Sequence, residues 1–472
     1  MFAFINKFFD TRSSKSQPRS ATLRVEELEN RLVPTTALLA DGLQHLPVYM
    51  GPGSPTWFQT NMSDPGVRSL AQADYANHGS ITRADMLGIF NEVESKGAIT
   101  SAELNDLRFL VSNATASVLH MAADVRFEAN AVVNDYNSYQ GTIVGQLQVG
   151  SSPAELNEFV DKCFLGMDHP IASGNYTNVA GNPFVNGTPS YLNVHQGQLG
   201  DCWLLASLAE VAAREPSVIE NMFTYEGQQT EYVTTATYRV PIATNVGVWE
   251  VRFYFANGNS CYETVDSMLP GGGTVYAQPN VTNALGNGAL WVALAEKAYV
   301  QANGDGFVTS NFMYQNAYGA LNGASPVWAL SAIAGPNAPI AVSPTNVAAA
   351  WNAGDLIVMC TPVSTPNSNL VPNHAYAVVG YNAQAASPFT LYNPWGTNAA
   401  SVAPYQCNGF YVYGQFHVNQ AFLTTYFTPA NQTNSPKDAG TPTEQLHEAQ
   451  DAAIAEWLRF EATTQDQGAI LG

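Results

Sequence analysis

The stretch Gln196-Gly-Gln-Leu-Gly-Asp-Cys-Trp-Leu-Leu-Ala-Ser-Leu-Ala209 constrains this chain more than any other. Leu204, Leu205, Leu208 and Val211 recur at the spacing of one helix face, so a buried helix begins here, opened by Gly200-Asp201. Cys202 falls in its first turn, where unpaired backbone N–H groups and the positive end of the helix dipole stabilise a thiolate. Gln196 stands six residues earlier, across a Gly-containing loop from which its amide can fold back toward the sulfur. That amide and the Cys202 backbone N–H would make a two-donor oxyanion hole. A cysteine in a Leu/Ala-rich helix is usually a small core residue. The combination of glycines, amide and thiol at a helix start turns the reading toward nucleophilic chemistry.

A thiol nucleophile needs a base. Of the eight histidines, His374 is the one whose own surroundings supply an orienting partner. It opens the predicted strand Ala375-Tyr-Ala-Val-Val-Gly-Tyr381, and the chain returns as Phe389-Thr-Leu-Tyr-Asn-Pro-Trp-Gly396. A hairpin folding near residues 383–384 brings Asn393 back beside His374. Its amide oxygen can then accept from the imidazole Nδ1–H and hold Nε2 toward the sulfur. His195, next to Gln196, mimics a base but has no orienting partner in its own sequence. From Leu356 to Lys437 there is no Asp or Glu, so a third member contributed by this half must be neutral.

Charge narrows the partners. The chain carries 38 acids against 18 bases, a formal charge of −20, which argues against nucleic acid because phosphate contacts need Lys and Arg. No apolar run approaches the length of about 18–20 residues that spans a bilayer. The five cysteines, Cys163, Cys202, Cys261, Cys360 and Cys407, are too sparse for a disulfide scaffold, although one or two bridges remain open. Residues 1–35 form a basic N-terminal segment without the apolar core of a secretory signal. Leu28-Glu-Asn-Arg-Leu-Val-Pro34 resembles an element near the start of many exported bacterial proteins, which favours export or the cell surface. An ordinary basic tail on a cytoplasmic protein is the alternative.

Residues 36–165 read as a helical domain, with S/T-x-x-D/E capping patterns at Thr82–Asp85 and Thr100–Glu103 and a further helix over about 116–136. Two degenerate EF-hand outlines start at Asp74 and Glu92, but the first has Ala76 and His78, and the second Lys96, where calcium loops place oxygen ligands. Residues 170–430 read as one long helix followed by strands, and 431–472 as a linker with an amphipathic tail helix near 443–461. The class is α+β.

Four separated blocks together resemble the calpain family of papain-fold cysteine peptidases, over roughly residues 185–430. They are Gln196–Ala209, Val265-Asp-Ser-Met-Leu-Pro270, Leu290-Trp-Val-Ala-Leu-Ala-Glu-Lys-Ala-Tyr299, and Asn373-His-Ala-Tyr-Ala-Val with Tyr392-Asn-Pro-Trp-Gly396. The resemblance implies a two-lobe, papain-like catalytic core behind the helical domain, acting on protein or peptide substrates without a cofactor or catalytic metal. It implies Cys202 as nucleophile, His374 as base, Asn393 as orienting amide, Gln196 as oxyanion donor and Trp395 as the shield of the His–Asn pair. Animal calpains use calcium in the peptidase core. Here Asn193 stands where an aspartate is expected, and the segment after Asn393-Pro-Trp395 has no acid. Residues 36–165 stand where exported papain-fold enzymes carry a latent-precursor segment. Two other readings share the constellation: a catalytically silent binding module on this fold, and a cross-linking acyl transferase.

Overall fold

Both predicted capping boxes form. Thr82 and Thr100 each accept from the backbone N–H three residues on, at 3.3 Å, and the Asp85 and Glu103 carboxylates accept the threonines' own N–H groups at 2.8 Å. The computed structural model describes residues 51–428, apart from 54–55, 116, 186, 235–238, 280–287, 366, 368–369, 398–404, 408–409 and 413. The basic N-terminal segment and the tail helix lie outside the described residues.

Six helices come first: α1 (Trp57–Asn61), α2 (Pro65–His78), α3 (Arg83–Ser95), α4 (Ser101–Ser112), α5 (Ala123–Asn134) and α6 (Pro153–Cys163), with a hairpin β1 (Asn137–Tyr139) and β2 (Thr142–Gly145) before α6. Their apolar faces, including Val67, Phe90, Leu107, Leu110 and Phe159, make a core of their own. The helix predicted over 116–136 starts only at Ala123, because the chain turns at His120, whose φ is +54°. Neither EF-hand outline forms a continuous twelve-residue loop; only 79–82 and 96–100 are non-helical. Asp74 to His78 are the last turn of α2, and Glu92 and Glu103 lie inside α3 and α4. Lys96 Nζ reaches Asp64 at 2.6 Å, Glu92 at 3.1 Å and Glu103 at 3.6 Å, so an ammonium sits among these acids.

The first lobe of the core contains β3 (Tyr176–Asn178), α7 (Cys202–Arg214), α8 (Pro216–Glu220), β4 (Phe223–Thr234), β5 (Arg239–Tyr254), β6 (Ser260–Asp266), β7 (Met268–Pro270), α9 (Trp291–Gly304) and α10 (Pro326–Ala334). Strands β4-β5-β6 form an antiparallel sheet and β3 pairs with β7. The second lobe starts at β8 (Ile340–Ala341) and α11 (Val347–Ala353), and continues through β9 (Leu356–Cys360), β10 (Ala375–Tyr381) and β11 (Phe389–Tyr392). The small pair β12 (Tyr405–Cys407) and β13 (Phe410–Val412) follows, then β14 (Gln415–Val418) and α12 (Gln420–Tyr426). Its main sheet runs β14-β11-β10-β9-β8, antiparallel except for the β8–β9 pair.

That sheet is buried on both faces, and strand alternation sorts the residues. Leu356, Val358, Ala375 and Ala377 pack with Leu204, Leu205 and Leu208 of α7, while Ile357, Met359, Tyr376 and Val378 pack on the far side with Leu391 and Leu423. The small Ala375 and Ala377 let α7 approach the sheet closely. The helical part and the lobes belong to one unit beginning at Met50. Phe127 of α5 packs at ring-centre distances of 6.3, 5.7 and 5.4 Å from Phe255, Tyr262 and Phe307. Cys163, Cys202, Cys261 and Cys360 are free thiols. Among the described residues, no helix is long and apolar enough to cross a membrane.

Candidate active site

Helix α7 delivers Cys202 to the junction of the lobes. The thiol is half-buried and receives backbone N–H groups from Ala375 and from its own helix start. Burial nevertheless dominates and pushes the thiol up to about 11. It faces a cleft of about 610 Å³ whose walls include Gln196, Cys202 and Asn322 on one side and His374, Ala375 and Trp395 on the other. None of the cleft-lining residues comes from the helical part of the chain.

His374 immediately precedes β10 and Asn393 immediately follows β11, and the antiparallel register Ala377↔Tyr392 brings them together. Imidazole Nε2 lies 2.8 Å from Asn393 Oδ1. The same Oδ1 accepts the Trp395 N–H at 3.1 Å, which fixes it as the amide oxygen and makes Nε2 the protonated nitrogen. The ring is therefore turned the opposite way from the sequence expectation: Nε2–H faces the amide and Nδ1 is left as the proton acceptor. The reason is reach. Neighbouring strands are about 4.8 Å apart, and only the distal ring nitrogen crosses that gap. Thr361 holds the histidine backbone, accepting the His374 N–H at 3.0 Å and donating its own N–H to the His374 carbonyl at 2.9 Å. Burial draws the imidazole down to about 4 against the opposing Asn393 bond. The Trp395 ring lies over it with centres 5.0 Å apart, and is itself 39% exposed.

Gln196 is anchored by its N–H to the Pro394 carbonyl at 2.8 Å, across the lobes. Its side-chain Nε2 donates to the Leu199 carbonyl at 2.6 Å and to Asp201 Oδ1 at 3.3 Å, rather than pointing straight at the sulfur. Two glycines are dictated by this packing. A Cβ on Gly197 would lie 2.1 Å from the Tyr276 carbonyl oxygen, and one on Gly396, at φ +67°, would lie 2.0 Å from His195 Nδ1. The His195 ring is thus packed against the Asn-Pro-Trp-Gly turn.

Sequence reasoning missed three contributors. The Ala375 N–H carries no side-chain signal. Glu210 of α7 accepts the Ile357 N–H of β9 at 2.9 Å. Glu296 of α9 touches Asp201; its only sequence signal is its place in the Leu290–Tyr299 block. Among the described residues, two groups could gather a cation, His169–Glu231–Asp266 and Asp124–Glu226–Glu250. Protein cations already attend both: Lys297 on Asp266, and Arg83 on Glu226. None of the six lines the cleft. Of the positions expected at a calpain-type calcium site, Asn193 is already committed, and residues 398–404 of the other lie outside the described residues. Asn193 Oδ1 is taken by the Ser190 N–H and the Trp291 indole N–H, both at 3.0 Å.

Residues 177–403 match the family described as calpain family cysteine protease. Over 240 residues the chain is 26% identical to calpain-8 of Rattus norvegicus, covering 47% of this chain and 30% of that protein. Over 239 residues it is 27% identical to the calpain-1 catalytic subunit of Rattus norvegicus, with the same coverage. Over 225 residues it is 24% identical to the calpain-2 catalytic subunit of Gallus gallus, covering 45% and 29%. The aligned part thus spans about 30% of the length of these relatives.

Proposed function

We propose, from the premise that residues 177–403 are a calpain-family cysteine protease domain, that this chain is a cysteine endopeptidase with a Cys202–His374–Asn393 triad. The observation that carries the proposal is the His374 Nε2–Asn393 Oδ1 bond of 2.8 Å, which leaves Nδ1 to serve a thiol across the same cleft. Burial raises the thiol and lowers the imidazole, so the resting pair favours its uncharged form. As Sγ attacks the scissile carbonyl carbon, its proton passes to Nδ1, and the carbonyl electron pair moves to oxygen. The Cys202 N–H and the Gln196 amide receive that oxyanion, Gln196 by releasing its long bond to Asp201. Collapse expels the amine with the Nδ1 proton and leaves a thioester, which water attacks with His374 again as base. Asn393 holds the ring orientation throughout, and Trp395 keeps water from the His–Asn bond.

The test compares wild type with Cys202→Ala by mapping new N-termini in a protein mixture, alongside iodoacetamide labelling of the five cysteines. New N-termini that depend on Cys202, with Cys202 labelled fastest, support the peptidase. New N-termini made equally by both proteins refute the mechanism, and none from either points to a silent binding module.

A further inference from the structure

Glu296 takes no part in the steps above, yet it reaches the residue directly before the nucleophile. Its carboxyl group lies against that of Asp201, within hydrogen-bonding reach, and the two are 1% and 0% exposed. Glu296 Oε2 accepts the Ala277 N–H at 2.9 Å, and Asp201 Oδ1 accepts from Gln196 at 3.3 Å. Each group keeps one oxygen, Glu296 Oε1 and Asp201 Oδ2, to which no N–H or O–H is directed. Two bare carboxylates in contact and out of reach of water repel each other strongly. One proton held between them removes one charge and gives both orphan oxygens a partner. Among the described residues no cation faces the pair. Its neighbours are Gln196, the Cys202 thiol and the Tyr276 and Tyr318 rings, which stack at 4.0 Å. Lys297, next to Glu296 in sequence, is committed to Asp266.

From this juxtaposition we infer that Asp201 and Glu296 act as one acid pair holding a single proton, and that the pair positions the Gln196 amide for the oxyanion. The inference rests on the peptidase reading. Asp201 starts α7 yet makes no side-chain cap; its carboxyl group is turned instead toward Gln196 and Glu296. The Gln196 N–H to Leu199, at 2.6 Å, is a fixed tether. The second N–H spans 3.3 Å to Asp201, a long bond that a forming oxyanion can take over. With one proton on the pair, negative charge on Asp201 is shared with the Glu296 acid, and that release is easy. Loss of the proton makes Asp201 a full anion with no donor opposite it, which holds the Gln196 N–H back. Burial places both carboxyls above the ordinary carboxylate range, so this loss comes on the alkaline side.

Glu296→Ala and Glu296→Gln in the full chain test it, with fluorescently labelled casein as substrate across about pH 6 to 10. E296A is expected to lower kcat about 10²-fold, the scale of one oxyanion donor, with KM within about threefold. The E296Q amide can donate to Asp201 while its carbonyl keeps the Ala277 N–H, and it has no second proton to lose. It should recover kcat to within about threefold of wild type and lack the wild-type alkaline fall. The inference is overturned if natively stable E296Q loses as much as E296A, or if it keeps the wild-type alkaline fall. If E296A does not fold, the E296Q pH profile alone decides. A wild type that cleaves nothing defeats the peptidase reading, and urea unfolding then judges the pair. Wild type should lose stability as pH rises past neutrality relative to E296Q, and parallel curves overturn the pair.

Discussion

Glu210 offers a sharp physical test of how the two lobes are joined. It is fully buried on α7, accepts the Ile357 N–H of β9 at 2.9 Å, and has its other oxygen unpartnered. Burial raises its carboxyl to about 8, against the opposing Ile357 bond and Arg214, whose guanidinium is 3.8 Å away. An acid raised on folding binds its proton more tightly in the native state. Its contribution to stability is therefore complete below its unfolded value of 4.5 and is lost as pH rises through about 8. At about 1.4 kcal/mol per pH unit, the difference is worth up to about 5 kcal/mol, a ceiling that Arg214 and local relaxation will reduce. Glu210→Gln keeps an oxygen for Ile357 and cannot ionise. Urea unfolding at about pH 5, 7 and 9 should find E210Q close to wild type at the low end and more stable by about 2–4 kcal/mol at the high end. Other raised carboxyls, such as Glu231 at about 9, are common to both proteins and cancel in the comparison. Equal pH slopes for the two proteins would refute the argument.

Cys202→Ala should abolish hydrolysis while the urea midpoint stays near wild type, because a small side chain at a helix start is exchanged for a smaller one. Asn393→Ala should lower kcat about 10²-fold, within the range that general acid–base catalysis contributes, with casein turnover as the readout. Gly396→Ala should cost about 2 kcal/mol or more, since its φ is +67° and a Cβ would strike His195; an unchanged melting temperature would contradict the packing. Casein cleavage should be equal in excess EGTA and in millimolar calcium, and a steep, reversible loss on chelation would overturn this expectation.

The elements that carry chemistry were legible because each follows a short-range rule. Helix α7 announces itself by helical apolar spacing after Gly200-Asp201, and the β10–β11 hairpin by apolar strands around a polar turn. The two capping boxes are equally local. Less local features were not readable. Which imidazole nitrogen meets Asn393 depends on side-chain reach across two strands. The Asp201–Glu296 and Glu210–Ile357 contacts join residues far apart in sequence, and no periodicity points to either. The degenerate EF-hand outline at Asp74 shows why residue types alone do not define a loop. Its ligand-like residue types are those of a polar last helical turn, and α2 runs straight through them to His78.

The same contacts explain how a sheet lobe with no acid between Leu356 and Lys437 can hold His374 in register. Tyr392 donates its hydroxyl to the Val194 carbonyl at 2.7 Å, and Gln196 donates its N–H to Pro394 at 2.8 Å. These two bonds bracket the approach to Cys202, each ending on a main-chain carbonyl. Farther along α7, Arg214 donates to the Asp355 and Trp351 carbonyls at 3.2 and 3.3 Å, with its guanidinium 3.7 Å from the Trp351 ring centre. Glu210 completes the row from a fully buried site. A helix that meets the opposing sheet at both ends, through Cys202 beside Ala375 and Arg214 beside Asp355, cannot rotate without breaking several buried hydrogen bonds together. Each is worth about 1 kcal/mol net when made, and more when a buried partner is stranded. Register between thiol and imidazole is therefore expected to come from the packed helix–sheet interface, and this is the ground for the equal cleavage predicted in EGTA and in calcium.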